Sequence, residues 1–226
     1  MCFSATASFS AGVVLLGVGA VALKSVRTSR EWPLAAVPLL FALQQLSEGV
    51  IWLTFIYEAP RLNGAMTQFY SFFSHALWPA YIPLAVWLLE PRGPRRRSLG
   101  AFVAAGFVTG GYLLIMLFVF PIVSRPTGQH IEYVAPHFFA GTVMTLYLLS
   151  TTVSPMLSTH RTVKLFGVLS LLAFGGAYYF YATWFISVWC FFAAILSVII
   201  VFHLRRRHAT LSMARLVGGR VNASEQ

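Results

Sequence analysis

Residues 34–57 read LAAVPLLFALQQLSEGVIWLTFIY, a run of 24 residues with a single charged side chain, Glu48. At 1.5 Å per residue such a helix covers about 36 Å, more than the roughly 30 Å hydrocarbon core of a bilayer. Lys24, Arg27 and Arg30 stand just before it. The stretch therefore reads as a transmembrane helix with a basic entry.

Six further apolar runs flank it: Ser8 to Leu23, Ala65 to Leu89, Leu99 to Pro121, His137 to Leu157, Leu165 to Thr183 and Phe185 to Leu204. Together they predict an all-α, polytopic membrane protein of seven transmembrane helices. Of the 226 residues 58% are hydrophobic and only 10% are charged, far below the roughly 25% charged residues of soluble domains. Short connections use up the rest, which leaves one bundle over residues 1–204 and a basic tail over 205–226. The narrowest connection lies between the last two helices, where only Ala182 to Ser187 offers a turn.

Charge sets the orientation. Alternate connections carry Lys24, Arg27 and Arg30; Arg92, Arg95, Arg96 and Arg97; Arg161 and Lys164; and Arg205, Arg206, Arg207, Arg215 and Arg220, which is 14 of the 16 basic residues. The opposite connections hold Arg61 and Arg125 alone. The positive-inside rule makes the first set cytoplasmic, so the N-terminus is expected outside and the C-terminus inside. The net charge of +10 is thereby topological, and it points to the bilayer and its anionic headgroups at the cytoplasmic face, with no nucleic-acid partner expected. The uncharged opening MCFSATASF lacks the positive start of a signal peptide, so the first helix is expected to stay in the mature protein.

Several residues interrupt the apolar pattern. Pro38, Pro79, Pro83 and Pro155 lie inside spans, where a missing backbone donor needs compensation. Gly106 and Gly110 make a small-xxx-small pair, read mainly as close helix contact within the bundle, with homo-oligomer formation as the minor alternative.

Ionisable groups inside a membrane are expensive and point to function. There is no Asp, and of the six Glu only Glu48 lies deep in a span; His75 is comparably deep. Glu48 lies roughly 14 Å and His75 roughly 15 Å from the outer ends of adjacent antiparallel helices, one common layer. Gln44 and Gln45, at i−4 and i−3 of Glu48, are expected to hold the carboxylate in one orientation. The competing reading is a protonated Glu48 bonded across helices. His137 opens the fifth span beside Pro136 and serves equally as a cap or as a group facing the bundle. Removal of Met1 would expose the amine of Cys2 beside its thiol, a pair that chelates metal; the plainer role for Cys2 is a small residue at the interface. His130 and Glu132 read as loop residues, and Tyr178, Tyr179, Tyr181 and Trp184 as an interfacial aromatic belt.

The opening MCFSA and the stretch FALQQ-x-x-EG, Phe41 to Gly49, resemble a group of uncharacterised bacterial integral membrane proteins that begin in the same way. The resemblance covers mainly the first two helices and has no activity attached. It implies the bacterial inner membrane and directs attention to Cys2, Gln45 and Glu48. Retinal is excluded, because the only lysines, Lys24 and Lys164, lie at cytoplasmic helix ends. The alkaline ceramidase and progestin-receptor-like hydrolases, which share the helix count, rely on an Asp and a paired His motif in the last helix that this chain lacks.

The residues leave three classes open. The leading expectation is a metal site, zinc or copper, in the outer half of the bundle, built from Glu48, His75, Cys2 and His137 with Gln44 and Gln45 behind them; an open coordination position there would support an enzyme. Haem held by His75 and His137 is a variant. The second class is a proton or ligand relay without metal, and the third is a structural or assembly subunit.

Overall fold

The computed structural model describes residues 4–135, 141–180 and 184–205. Seven helices are found among them. Helix α1 spans Ala5–Lys24, α2 Trp32–Ile56, α3 Pro60–Leu89, α4 Pro94–Val119, α6 Arg161–Phe180 and α7 Phe185–Arg205. Helix α5 is described from Gly141, through Leu148 and a π-helical turn at Leu149–Val153, to a last turn at Ser154–Met156. Six of the seven are long and apolar enough to cross a membrane. The chain is a helical membrane protein.

Burial supports that statement. The apolar window of α4 has a mean hydropathy of 2.2, yet only 28% of it is buried within the chain. Val108 and Phe118 are exposed at 67% and 79%. Such faces are stable against lipid and unfavourable against water.

The helices begin where the sequence supplies a start. Pro60 and Pro94 stand at the first positions of α3 and α4, where a missing N–H is harmless. This is why both helices extend about a turn beyond the apolar runs. Helix α6 ends at Phe180 and α7 begins at Phe185, so the near-continuous apolar stretch is two helices.

Two prolines also reshape helix interiors. Pro79 has no N–H for the carbonyl of His75, and the ladder before it widens into a π-turn, Phe72–Leu77, with the Trp78 N–H bonded to the Phe73 carbonyl. Pro155 repeats the device: Leu149–Val153 is π-helical and the Ser154 N–H reaches the Leu149 carbonyl. Turns of this kind concentrate at functional sites.

Packing is closest where glycine allows it. Helices α1 and α2 run antiparallel, with Gly12 against Leu46 and Gly19 against Leu39. A Cβ on Gly106 would lie 1.9 Å from the Pro79 carbonyl oxygen, and one on Gly110 2.5 Å from that of Ala76. The Pro79 carbonyl has lost its helical donor to Pro83, so the bare Gly106 Cα meets an oxygen that helix geometry leaves open. This glycine pair is thus used for close helix contact inside the chain.

A β-hairpin departs from the all-helical pattern. Strands β1, Val123–Thr127, and β2, His130–Val134, pair antiparallel around Gly128, whose φ of +61° suits glycine. The hairpin is tied to α3 by Thr67 and Ser124, 2.7 Å apart, and by the Gln68 amide donating to the Ile122 carbonyl at 2.8 Å. Ile131 and Tyr133 point inward and are buried. The segment holding His130 and Glu132 is therefore an ordered cover on the bundle, and His130 stacks on Trp184 at 4.4 Å.

A buried polar layer as candidate functional site

Helix α2 supplies the centre of the site. Gln44 and Glu48 are one turn apart on its inward face, and both are 0% exposed. Gln44 Oε1 accepts the indole N–H of Trp78 at 2.7 Å, and that indole stacks on Phe41 at 3.9 Å. This bond fixes the register of α2 against α3. Glu48 lies four residues from it and His75 three, both toward the hairpin, about 6 and 4.5 Å along the axes. The two residues share a depth, as the sequence led one to expect.

Glu48 is met by two hydroxyl donors from different elements. Ser187, in the first turn of α7, donates to Oε1 at 2.6 Å. Tyr133, on β2, donates to the same oxygen at 3.3 Å. The Tyr133 ring stacks on buried Tyr70 of α3 at 4.5 Å with an interplanar angle of 7°. Cys190, one turn after Ser187, sets its thiol against Gln44 and Tyr70.

The layer continues across the π-turns. Tyr147 of α5 donates to the Ser74 carbonyl at 2.5 Å, and Ser74 Oγ lies 2.8 Å from Nδ1 of His75. Beside Cys190 a cavity of about 30 Å³ is lined by Tyr147, Thr151, Ser170 and Trp189 among others. That is room for one or two waters. The Ser170 hydroxyl has no hydrogen-bond partner among the described residues and gives such a water something to bind.

The expected site residues divide as follows. Glu48 and His75 belong to the layer; Cys2 and His137 lie outside the described residues. Gln44 is bonded to Trp78, and the amide of Gln45 is fully buried with no hydrogen-bond partner among the described residues. Ser187 and Tyr133 hold the carboxylate where the two amides were expected to. Among the described residues no three His, Cys, Asp or Glu side chains gather closely enough to hold a metal ion.

Ser187 and Tyr133 escaped the sequence reading. Ser187 and Cys190, three apart at the start of the seventh apolar run, were the available signal for one face of α7. For Tyr133 the signal was the alternation Ile131, Tyr133 after Gly128, a period-two pattern beyond a turn residue.

The family of unknown function DUF6629 matches residues 1–215. The chain belongs to this family. The DUF6629 match takes in all seven helices and the hairpin, so every residue of the polar layer lies within it. No curated protein and no solved structure matches the chain.

Outside the spans, burial holds the His130 imidazole below its ordinary range. At the opposite, arginine-rich end, Glu90 is buried and receives the Ser158 hydroxyl at 3.0 Å and the Thr159 N–H at 3.0 Å. His160 and His203 meet edge to face there at 4.9 Å.

Proposed function

We propose that this is a seven-span protein of the bacterial inner membrane, with its N-terminus outside and its C-terminus inside, and that it works as a proton or ligand relay, a small sensor or transporter. Glu48 is the group that exchanges the proton. The observation that carries this reading is the convergence of Ser187 and Tyr133 on one oxygen of a fully buried carboxylate. A carboxylate oxygen has two lone-pair directions, and two hydroxyls occupy them at Oε1. Those hydroxyls belong to the start of α7 and to the hairpin, so a change of charge at Glu48 alters what holds both in place. Intramembrane carboxylates in such settings serve as proton carriers.

The relay has groups on either side of Glu48. Tyr133 leads toward the hairpin surface, and Cys190, Tyr147 and the water-sized cavity lead inward. The test is reconstitution of the purified chain in liposomes with an entrapped pH-sensitive dye, or, for a sensor, an infrared difference spectrum over a pH titration. A carboxyl signal that titrates in the wild type and vanishes in Glu48→Gln supports the proposal. Identical spectra and identical proton movement in both proteins sink it.

A metal centre, zinc or copper, is the second reading, with Glu48, His75, Cys2 and His137 as ligands. The contact of Ser74 Oγ with His75 Nδ1 favours it, since such bonds orient ligating histidines. Elemental analysis with an optical spectrum of one preparation distinguishes zinc, copper, haem and the relay. Stoichiometric metal that is lost in His75→Ala would displace the relay reading.

A further inference from the structure

A second concave site lies at the arginine-rich end, where α3 turns into α4. The cavity, about 650 Å³, is lined by Trp87 from the last turn of α3, Arg92 and Gly93 in the turn, and Arg96 and Arg97 in the first turn of α4. Its size is within the range of about 300–1,000 Å³ typical of ligand clefts.

Three guanidinium groups face one opening, and no carboxylate among the described residues neutralises them. The acidic residue nearest in sequence, Glu90, is buried and turned to Ser158 and Thr159. None of Arg92, Arg96 and Arg97 has an ion-pair partner among the described residues. Arg96 is already positioned: its guanidinium sits 4.2 Å over the Trp87 ring, which also accounts for its being half-buried while Arg92 and Arg97 are exposed. Pro94 begins α4, and the Arg97 N–H closes back on the Gly93 carbonyl, so the N–H groups of Arg95 and Arg96 open toward the turn. Backbone donors and arginine forks together suit phosphate.

The surroundings select the source of that phosphate. Trp87 ends a membrane-crossing helix, the usual position of an interfacial anchor. Gly100, in the second turn of α4, also lines the cavity, and Phe107, seven residues on along the same helix face, is 53% exposed beside Val108 at 67%. A headgroup in the cavity would lay its acyl chains along that face.

We propose that this pocket binds the phosphate of an anionic phospholipid at the bilayer boundary. The test is native mass spectrometry of the full-length protein in detergent, titrated with phosphatidylglycerol or phosphatidylcholine. The pocket variant is Arg92→Gln with Arg96→Gln and Arg97→Gln; the control removes the same charge at the same end through Arg30→Gln, Arg161→Gln and Lys164→Gln. At about fivefold for each direct guanidinium–phosphate contact removed, the pocket variant loses on the order of 100-fold in phosphatidylglycerol affinity. The control loses under tenfold, and the wild type prefers phosphatidylglycerol to phosphatidylcholine. Equal losses in both variants, or no lipid preference, would overturn the proposal by making the attraction a general property of the basic end. A third arm adds a hundredfold excess of inorganic phosphate. Retained lipid adducts support the lipid source, and complete displacement overturns it in favour of a soluble phosphate.

Discussion

Replacing Ser187 by Ala removes the shorter of the two hydroxyl bonds to Glu48 and little else. The bond is 2.6 Å long, within the roughly 2.5–2.7 Å range of hydroxyls donating to charged oxygen, whereas the bond from Tyr133, at 3.3 Å, is long and correspondingly weak. Ser187 is 1% exposed, so no water replaces the lost donor from outside. The expected loss is about 1–3 kcal/mol for Ser187→Ala and under about 1 kcal/mol for Tyr133→Phe. The assay is reversible unfolding in mixed micelles, run as a double-mutant cycle with Glu48→Gln. The cost of Ser187→Ala should shift with pH when residue 48 is Glu, because a bond to an ionised group is worth about twice a neutral one. In the Gln background it should stay constant. A Tyr133→Phe loss larger than that of Ser187→Ala, or a coupling of zero at every pH, would refute the assignment of Ser187 as the principal partner of Glu48.

Three further outcomes are expected. Gly106→Ala should destabilise the protein by about 1–3 kcal/mol or prevent folding, since its Cβ would sit 1.9 Å from the Pro79 oxygen, while Gly111→Ala, with nothing within 4 Å, should be silent in the same thermal melt. Glu90→Gln should lower stability by about 1–2 kcal/mol in that melt through the weakened hold on Ser158 and Thr159. For His130 the folded state favours the neutral ring, so its contribution to hairpin docking is complete above the ordinary histidine value of about 6.5 and falls away as the pH drops below it. Faster amide hydrogen exchange across residues 123–134 at acid pH, absent in His130→Gln after correction for intrinsic rates, is the measurement.

What was legible in the sequence was whatever depends on the environment of a whole segment. Twenty-odd apolar residues must become a helix in lipid because every backbone donor has to be satisfied within the segment, and this is why the helical stretches from α1 to α7 follow from hydropathy. The depth match of Glu48 and His75 was legible too, since rise per residue turns position into height. Three things needed tertiary structure. Hydropathy carries no information on azimuth, so it could not tell that Gln44 turns to Trp78 while Ser187 turns to Glu48. The polar segment 123–134 has strand alternation too short to stand out, and it becomes a hairpin because α3 offers Thr67 and Gln68 as partners. Gly106 and Gly110 look alike whether they face another copy or another helix; the Pro79 carbonyl, freed by Pro83, decides it. The sequence by itself determined which stretches are apolar enough to be helices in a membrane and which side chains in them are too polar to be there without a reason. Only the packed bundle decided which neighbours supply that reason, because hydrogen bonds between helices depend on rotation and register, which a one-dimensional pattern leaves free.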